Sequence, residues 1–498
     1  MTRIALGKIS LAAVLAVGLS SGVAVAQDAK AVIAKAEKAM GHVTSVRYSG
    51  TGKLGAVAMN WNPTGPWHST DLTSYTRTVD YPSGSSRELE TYAQENPIAM
   101  GGQAPFSDPI TEGAELSGTY AWNQPVNANT PQPPDVVAPA PAEVENRQLQ
   151  LMLTPHGFLK AAAANGAVAK TVEKDGQTLT TLTFMWGKYK IKGAIDGRGL
   201  VTKIETKVPE PVMGDMPLQV YFTDYKHYGA MMFPSHILQT QGAWRTFELT
   251  VSSAEANVPG AALSVPAKVL TAKVKPEEVK PVKMADGVWM LYGGHNSVLV
   301  EFKDYLLLIE APVDETRSLA LLAEIKQLVP NKPIKYVFNT HHHSDHSGGL
   351  RTFVAGGASI ITHEANKAFF EWAWKQPRTL EPDELSKHPR PADIITFKHK
   401  YVLTDGDQMV EFHWDFGDFH DQYLSFAYLP KSRILVEADD FSAWYATPLS
   451  LAMWNNLYGN LQRLQIDPVT IAPLHGPISP MDLWLKALRD DTAQLGAD

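Results

Sequence analysis

Apolar residues recur at helical spacing over Ala29–Met40, after which the pattern turns strand-rich as far as residue 255. Residues 73–81 and 86–92 read as strands that could pair across Pro82-Ser83-Gly84-Ser85. Residues 178–186, Tyr189–Ile195 and 200–206 read as further antiparallel strands, the last two joined at Asp196-Gly197-Arg198-Gly199. Residues 218–225, 235–241 and 246–252 continue that meander. Residues 127–143, rich in Pro and Ala, read as a long loop, and 256–283, with several Pro and Lys, as a linker. The chain shows no internal repeat.

From residue 284 the pattern changes. Residues 288–291, 297–302 and 305–310 read as short strands, with turns at Gly293-Gly294 and Lys303-Asp304. Glu315–Leu328 carries apolar residues at helical spacing and stops before Pro330, and a strand over 334–339 follows. Helices over 364–375 and 481–489 are expected as outer layers. Directly after the 334–339 strand comes Thr340-His341-His342-His343-Ser344-Asp345-His346-Ser347-Gly348-Gly349. In an extended segment residues two apart share a side, so His341 and His343 can hold one ion together while His342 faces outward. Beyond the turn at Ser344, Asp345 and His346 can swing toward a second ion. Imidazole and carboxylate suit zinc, and two ions roughly 3.5–4 Å apart would clamp a hydrolytic substrate. A His-rich scavenging tract, or a helix start capped by Asp345, needs neither the His-x-His spacing nor the preceding strand.

His-x-His-x-Asp-His after a strand, followed by Gly-Gly, resembles the metallo-β-lactamase superfamily. That resemblance implies an α/β fold: a C-terminal αββα sandwich, preceded here by a separate antiparallel β-rich N-terminal domain. It also implies ligands from later loops. In Gly417-Asp418-Phe419-His420-Asp421, His420 stands where the family places the third histidine of its first metal. Arg433-Ile434-Leu435-Val436-Glu437-Ala438-Asp439 is similar to the family's strand ending in Gly-Asp, with Ala438 in place of the glycine. Asp439 then matches the bridging carboxylate of glyoxalase-II-like and lactonase-like members, with Asp440 as the alternative. Ile471-Ala472-Pro473-Leu474-His475-Gly476 resembles the last histidine motif, making His475 a ligand of the second metal.

The implied metal set is His341, His343, Asp345, His346, His420, Asp439 and His475, holding two zinc ions, with iron or manganese as alternatives. A zinc-bound water can ionise near pH 7. Asp345 is expected both to ligate and to orient or deprotonate the attacking water. His295 and Tyr445 are candidates for the substrate wall, His295 being equally readable as a surface turn residue. His363 reads as structural, and Trp372 and Trp374 as core. The implied activity is hydrolysis of an ester, lactone, thioester or β-lactam in a small-molecule substrate. Two rivals stand: an iron-dependent redox member, although the flavodiiron type prefers a Glu where His343 stands, and a non-catalytic ligand carrier. The latter draws on a resemblance of residues 27–255 to the half-barrel domains of periplasmic lipoprotein carriers.

Composition narrows this further. With 498 residues, 44% apolar and 19% charged, the chain can bury two or three cores. A formal charge of −8 gives no sign of a nucleic-acid surface. The absence of cysteine leaves the site no thiolate, so histidine and carboxylate must bind any ion. Arg3 and Lys8, the apolar run 9–17 and Ala24-Val25-Ala26 read as a secretory signal peptide over residues 1–26. No stretch reads as a transmembrane anchor, so the expected location is outside the cytoplasm, in the periplasm of a cell with an outer membrane.

Overall fold

The computed structural model describes residues 25–96, 100–102, 106, 108–125, 137–174, 177–441 and 450–495. Most of the expected leader (1–24) and most of the expected Pro/Ala loop (127–136 of 127–143) lie outside the described residues. Val25–Gln27 form a short strand against Ala169–Thr171.

The N-terminal region is an antiparallel sheet of fourteen described strands. Its backbone is the meander Val168–Lys174, Gln177–Trp186, Tyr189–Ile195, Val201–Glu210, Gly214–Tyr228, Met231–Gln241 and Trp244–Ala256. Ser45–Asn60 pairs with the last of these, and Trp67–Asp80 and Ser85–Gln94 follow across the sheet. The expected turn at 82–85 is therefore present, with Asp80 opposite Ser85. Ser45–Asn60 was not predicted, because Gly50, Gly52 and Gly55 dilute its strand pattern. Those glycines let the neighbouring strand come close: a Cβ on Gly50 would meet Thr250 O at 2.1 Å, and one on Gly52 would meet Glu248 O at 1.8 Å.

Three helices cover one face of this sheet. Ala29–Met40 forms as predicted, with Asp28 accepting Lys30 N at 3.0 Å and Val32, Ile33, Ala36 and Met40 on its buried side. Val144–Met152 and Pro155–Ala164 were not predicted; Leu149, Leu153, Phe158, Leu159 and Ala162 bury them in the same core.

The C-terminal region holds two further sheets. Seven strands run from Lys280–Ala285 through Val288–Tyr292, Ser297–Glu301, Leu306–Ile309, Ile334–Phe338 and Ser359–His363 to Ile394–Phe397. The first of these strands begins inside the expected linker 256–283, with Lys280 opposite Tyr292. From Leu306–Ile309 onward the strands are parallel, which requires crossovers. The first is the helix Glu315–Leu328, capped by Asp314 onto Arg317 N at 2.8 Å. Six strands make the second sheet: Lys400–Thr404, Met409–Trp414, Ser425–Leu429, Ile434–Glu437, Thr470–Pro473 and Ser479–Pro480.

Alternation along these strands assigns their faces. Val288 and Met290 enter a cluster shared with Val410, Phe412, Ala427 and Val436 of the other sheet. Leu291 and Leu299 point the opposite way, onto Leu321, Ile325 and Phe353. On the six-stranded sheet Phe426, Leu435 and Ile471 meet Trp454, Leu457 and Trp484 from the helices Ser450–Leu464 and Met481–Leu495. Trp372 was expected in the core, but it is 49% exposed on the short helix Lys367–Ala373; Trp374 instead stacks on Phe370 at 5.2 Å.

The N-terminal region has its own core and also shares one with the C-terminal region. Ala58, Trp67, Val212, Met213 and Met216 pack in the cluster that contains Leu291 and Phe353. Nearby, Asp215 accepts from Thr379 N at 2.7 Å and Thr379 Oγ1 at 2.6 Å, and Arg378 donates to Val212 O at 2.6 Å. Among the described residues, no helix is long and apolar enough to cross a membrane.

Candidate metal centre

Strands of both C-terminal sheets lead into the site, and the loops that follow or precede them carry the chemistry. Ile334–Phe338 leads into His341–His346, Ile434–Glu437 into Asp439, and Thr470–Pro473 into His475; His420 lies in the loop before Ser425–Leu429. Gly348-Gly349 completes the first motif for steric reasons. A Cβ there would fall 1.9 Å from Val313 O or 2.0 Å from Ser318 Oγ.

The seven expected ligands come together. Ring nitrogens of His341, His343 and His420 lie within 4.8 Å of one another, as do ligand atoms of His341, His346 and Asp439. Asp439 Oδ2 is 3.6 Å from His341 Nε2, 3.6 Å from His420 Nε2 and 3.0 Å from His346 Nε2, while its Oδ1 is 3.4 Å from His475 Nε2. Its carboxylate therefore sits between two groups of imidazoles. Asp345 Oδ2 lies 3.4 Å from His346 Nε2 and 3.7 Å from His475 Nε2. Asp440 points elsewhere, into a buried group with Asp415 and Asp418.

His295 joins this group rather than the surface: its Nε2 is 3.4 Å from Asp345 Oδ2, and its ring lies 4.5 Å from that of His475. Tyr445 lies outside the described residues. His363 is structural as expected, its Nδ1 accepting from Ala365 N at 3.2 Å.

His342 requires a correction. It does face away from the ring cluster, but it is fully buried, not outward in solvent. Its Nδ1 is 2.6 Å from Asp421 Oδ2, a contact whose angle falls short of a hydrogen bond, and its ring meets Phe369. The alternation argument gave the direction of the side chain; the loop 418–422 folding over that side removed the solvent.

The donor set fits metal ions. His341 Nε2, His343 Nδ1, both ring nitrogens of His420, Asp345 Oδ1 and Asp439 Oδ2 are buried without a hydrogen-bond partner. Buried polar atoms are rarely left so, and several converging on one point need a common cation. Neighbouring groups fix which ring nitrogen faces inward. His341 Nδ1 is 3.0 Å from Thr340 Oγ1, and Thr340 Oγ1 donates to Glu310. Glu310 Oε2 also takes His346 Nδ1 at 3.1 Å, and its Oε1 takes Asn339 Nδ2 at 3.1 Å. Asn296 ties the His475 loop by donating to Pro473 O and Gly476 O at 3.1 and 2.8 Å.

Charge is arranged to keep the imidazoles basic or neutral as needed. Burial, with the neighbouring His420 and His342, pushes His343 down to about 3; burial outweighs Asp439 to hold His475 near 4. Burial, then His346 and His343, also holds His341 well below its ordinary value. Burial opposes charge on His346 as well, but Asp439 and Asp345 overcome it and raise its pKa. His346 Nε2 and His475 Nε2 lie 2.8 Å apart. Burial likewise opposes charge on Asp345 and Asp439, and the surrounding imidazoles hold both well below the usual carboxylate range.

Sequence reasoning missed Glu310, Asn296, Asp421 and Asn60, whose backbone oxygen accepts from His343 Nε2 at 2.8 Å. Glu310 left a signal as a charged residue ending an apolar strand. Asn60 left none, being 281 positions before His341.

Comparison with known proteins places residues 291–424 in a match to the model of the metallo-beta-lactamase superfamily, so Asp439 and His475 lie beyond the matched residues. No curated protein matches the chain. Among solved structures, a metallo-beta-lactamase from Pontibacter korlensis is 22% identical over 43% of this chain and 98% of its own, with a TM-score of 0.34. The metallo-beta-lactamase FIM-1 from Pseudomonas aeruginosa, in a mono-zinc form, is 19% identical over 43% and 94%, TM-score 0.34. A flavodiiron protein from Giardia intestinalis is 18% identical over 43% and 59%, TM-score 0.34.

Proposed function

We propose that this protein, whose residues 291–424 match the metallo-beta-lactamase superfamily model, is an exported dinuclear zinc hydrolase. Its substrate is a small molecule with an ester, lactone, thioester or β-lactam bond, and its four C-terminal layers are an αββα sandwich. The observation that carries the reading is the convergence of orphaned nitrogens of His341, His343 and His420 beside the orphaned Asp439 Oδ2, with His346 and His475 also within reach of that carboxylate. His341, His343 and His420 would hold one ion, and Asp345, His346 and His475 the other, with Asp439 between them. When bound, such a pair supplies a solvent molecule that ionises near pH 7 and polarises a carbonyl.

The protein's own groups do the rest. Asp345 Oδ1 has no partner, so it is free to accept the proton of the attacking water. Asp345, His475 and His295 are 22%, 22% and 26% exposed in their side chains, whereas His341, His343 and His346 are fully covered. Substrate therefore approaches over the His295–Asp345–His475 edge. Export rests on the leader pattern of residues 1–26.

The test is metal-stripped protein reloaded with zinc, iron or manganese and assayed on nitrophenyl esters, lactones and chromogenic β-lactams. Zinc-dependent turnover is expected, with Asp345→Ala losing at least about 100-fold in kcat, in the range of general-base removal. Stoichiometric iron with oxygen uptake would favour a redox member, and metal-loaded protein inert on the whole panel would favour a carrier.

A further inference from the structure

The strand Ser45–Asn60 ends in an irregular turn that reaches the metal centre. Between the pairs Gly55–Ser69 and Asn60–Trp67 this strand carries extra residues, and Ala58 sits at φ +59°. A non-glycine residue there is strained. The strain is held by burial, since Ala58 packs in the core shared by the two regions. This bulge redirects the chain so that the Asn60 carbonyl accepts the His343 Nε2 proton at 2.8 Å. With that proton fixed on Nε2, the orphaned Nδ1 of His343 presents its lone pair to the cluster.

The next residue grips the loop that bears His420. Trp61 Nε1 donates to Asp418 O at 3.1 Å, and Trp61 O accepts from Gln422 N at 2.7 Å. A second N-terminal segment adds Gly101 N donating to Phe419 O at 3.0 Å. The turn itself is braced by Asn60 Nδ2, which donates to Asn62 O and to Gly65 O.

We propose that residues 60–61 of the N-terminal sheet are positioning residues of the metal centre, orienting His343 and His420 so that the affinity for the first ion is set from the N-terminal half. The proposal rests on reading His341, His343 and His420 as ligands. Groups that orient metal-binding histidines typically contribute 10–100-fold in affinity. The full chain is stripped of metal and titrated with zinc against a chromophoric chelator, and with cobalt for its visible spectrum. Trp61→Phe, which removes the indole donor and keeps a ring, and Asn60→Ala, which frees the turn, should each weaken the first ion about tenfold or more and alter the cobalt bands. Their metal-free thermal midpoints should match that of the parent, and Tyr75→Phe, in the distant core of the same sheet, should leave zinc affinity unchanged. Parental affinity and spectrum in both variants, while His420→Ala loses the first ion, would overturn the proposal. So would loss of the metal-free fold in both, which would make the turn a structural element alone. Retention of the first ion by His420→Ala would instead defeat the ligand assignment itself.

Discussion

At Glu310 one buried carboxylate answers Asn339, Thr340 and His346 together, and through Thr340 it reaches His341. Such residues decide how well the ligands are held, and His342 belongs with them. Asp421 already accepts from Tyr423 N at 2.7 Å, and His342 Nδ1 is the polar atom beside its other oxygen, at 2.6 Å. His342→Ala should therefore strip a buried carboxylate oxygen of its polar neighbour and cost about 1–3 kcal/mol, seen as a lower urea midpoint of the metal-free protein. A second histidine carries a pH dependence. His156 is 3% exposed and stacks on Phe233, and burial pushes it down to about 4. The unfolded chain binds this proton more readily, so the stability is fully present above pH 6.5 and is lost as pH falls toward 4. The loss should be roughly 3 kcal/mol. Urea unfolding at pH 7 and pH 4.5 should show a steeper acid loss in the parent than in His156→Gln. At this scale the His-x-His-x-Asp-His ligands were legible because their spacing is itself the chemistry. Glu310 and Asp421 were not, because an orienting carboxylate has no characteristic spacing.

Elements were legible where local and tertiary forces agree. Glu315–Leu328 was predicted to the residue because an apolar stripe and a following proline mark it, and the Asp314 cap agrees with them. Ser45–Asn60 failed that standard. Its glycines look like strand breakers locally, but they answer a crowding created by a strand some two hundred residues away. Gly52→Ala should accordingly destabilise the fold by about 1–3 kcal/mol, since its Cβ would lie 1.8 Å from Glu248 O. Chemical denaturation followed by tryptophan fluorescence measures this, and a neutral result would mean that the strands part easily. The helices Val144–Met152 and Pro155–Ala164 escaped notice for a related reason: they are short, and burial against the sheet rather than their own propensity holds them.

On the scale of the whole molecule, the two regions meet through apolar packing around Ala58, Trp67 and Met216, through Asp215 and Arg378, and through the turn at Asn60. The sequence alone determined the alternation of strands and helices in the C-terminal half, the seven candidate ligands and the absence of a thiolate, because each follows from residue type and short-range spacing. Only the tertiary structure decided that His342 is buried, that His295 stands beside Asp345, and that Asp439 rather than Asp440 faces the imidazoles. It alone also brought Asn60 to His343. Those outcomes depend on which loops close over which strand ends, and contacts between residues hundreds of positions apart leave no periodic trace in the chain.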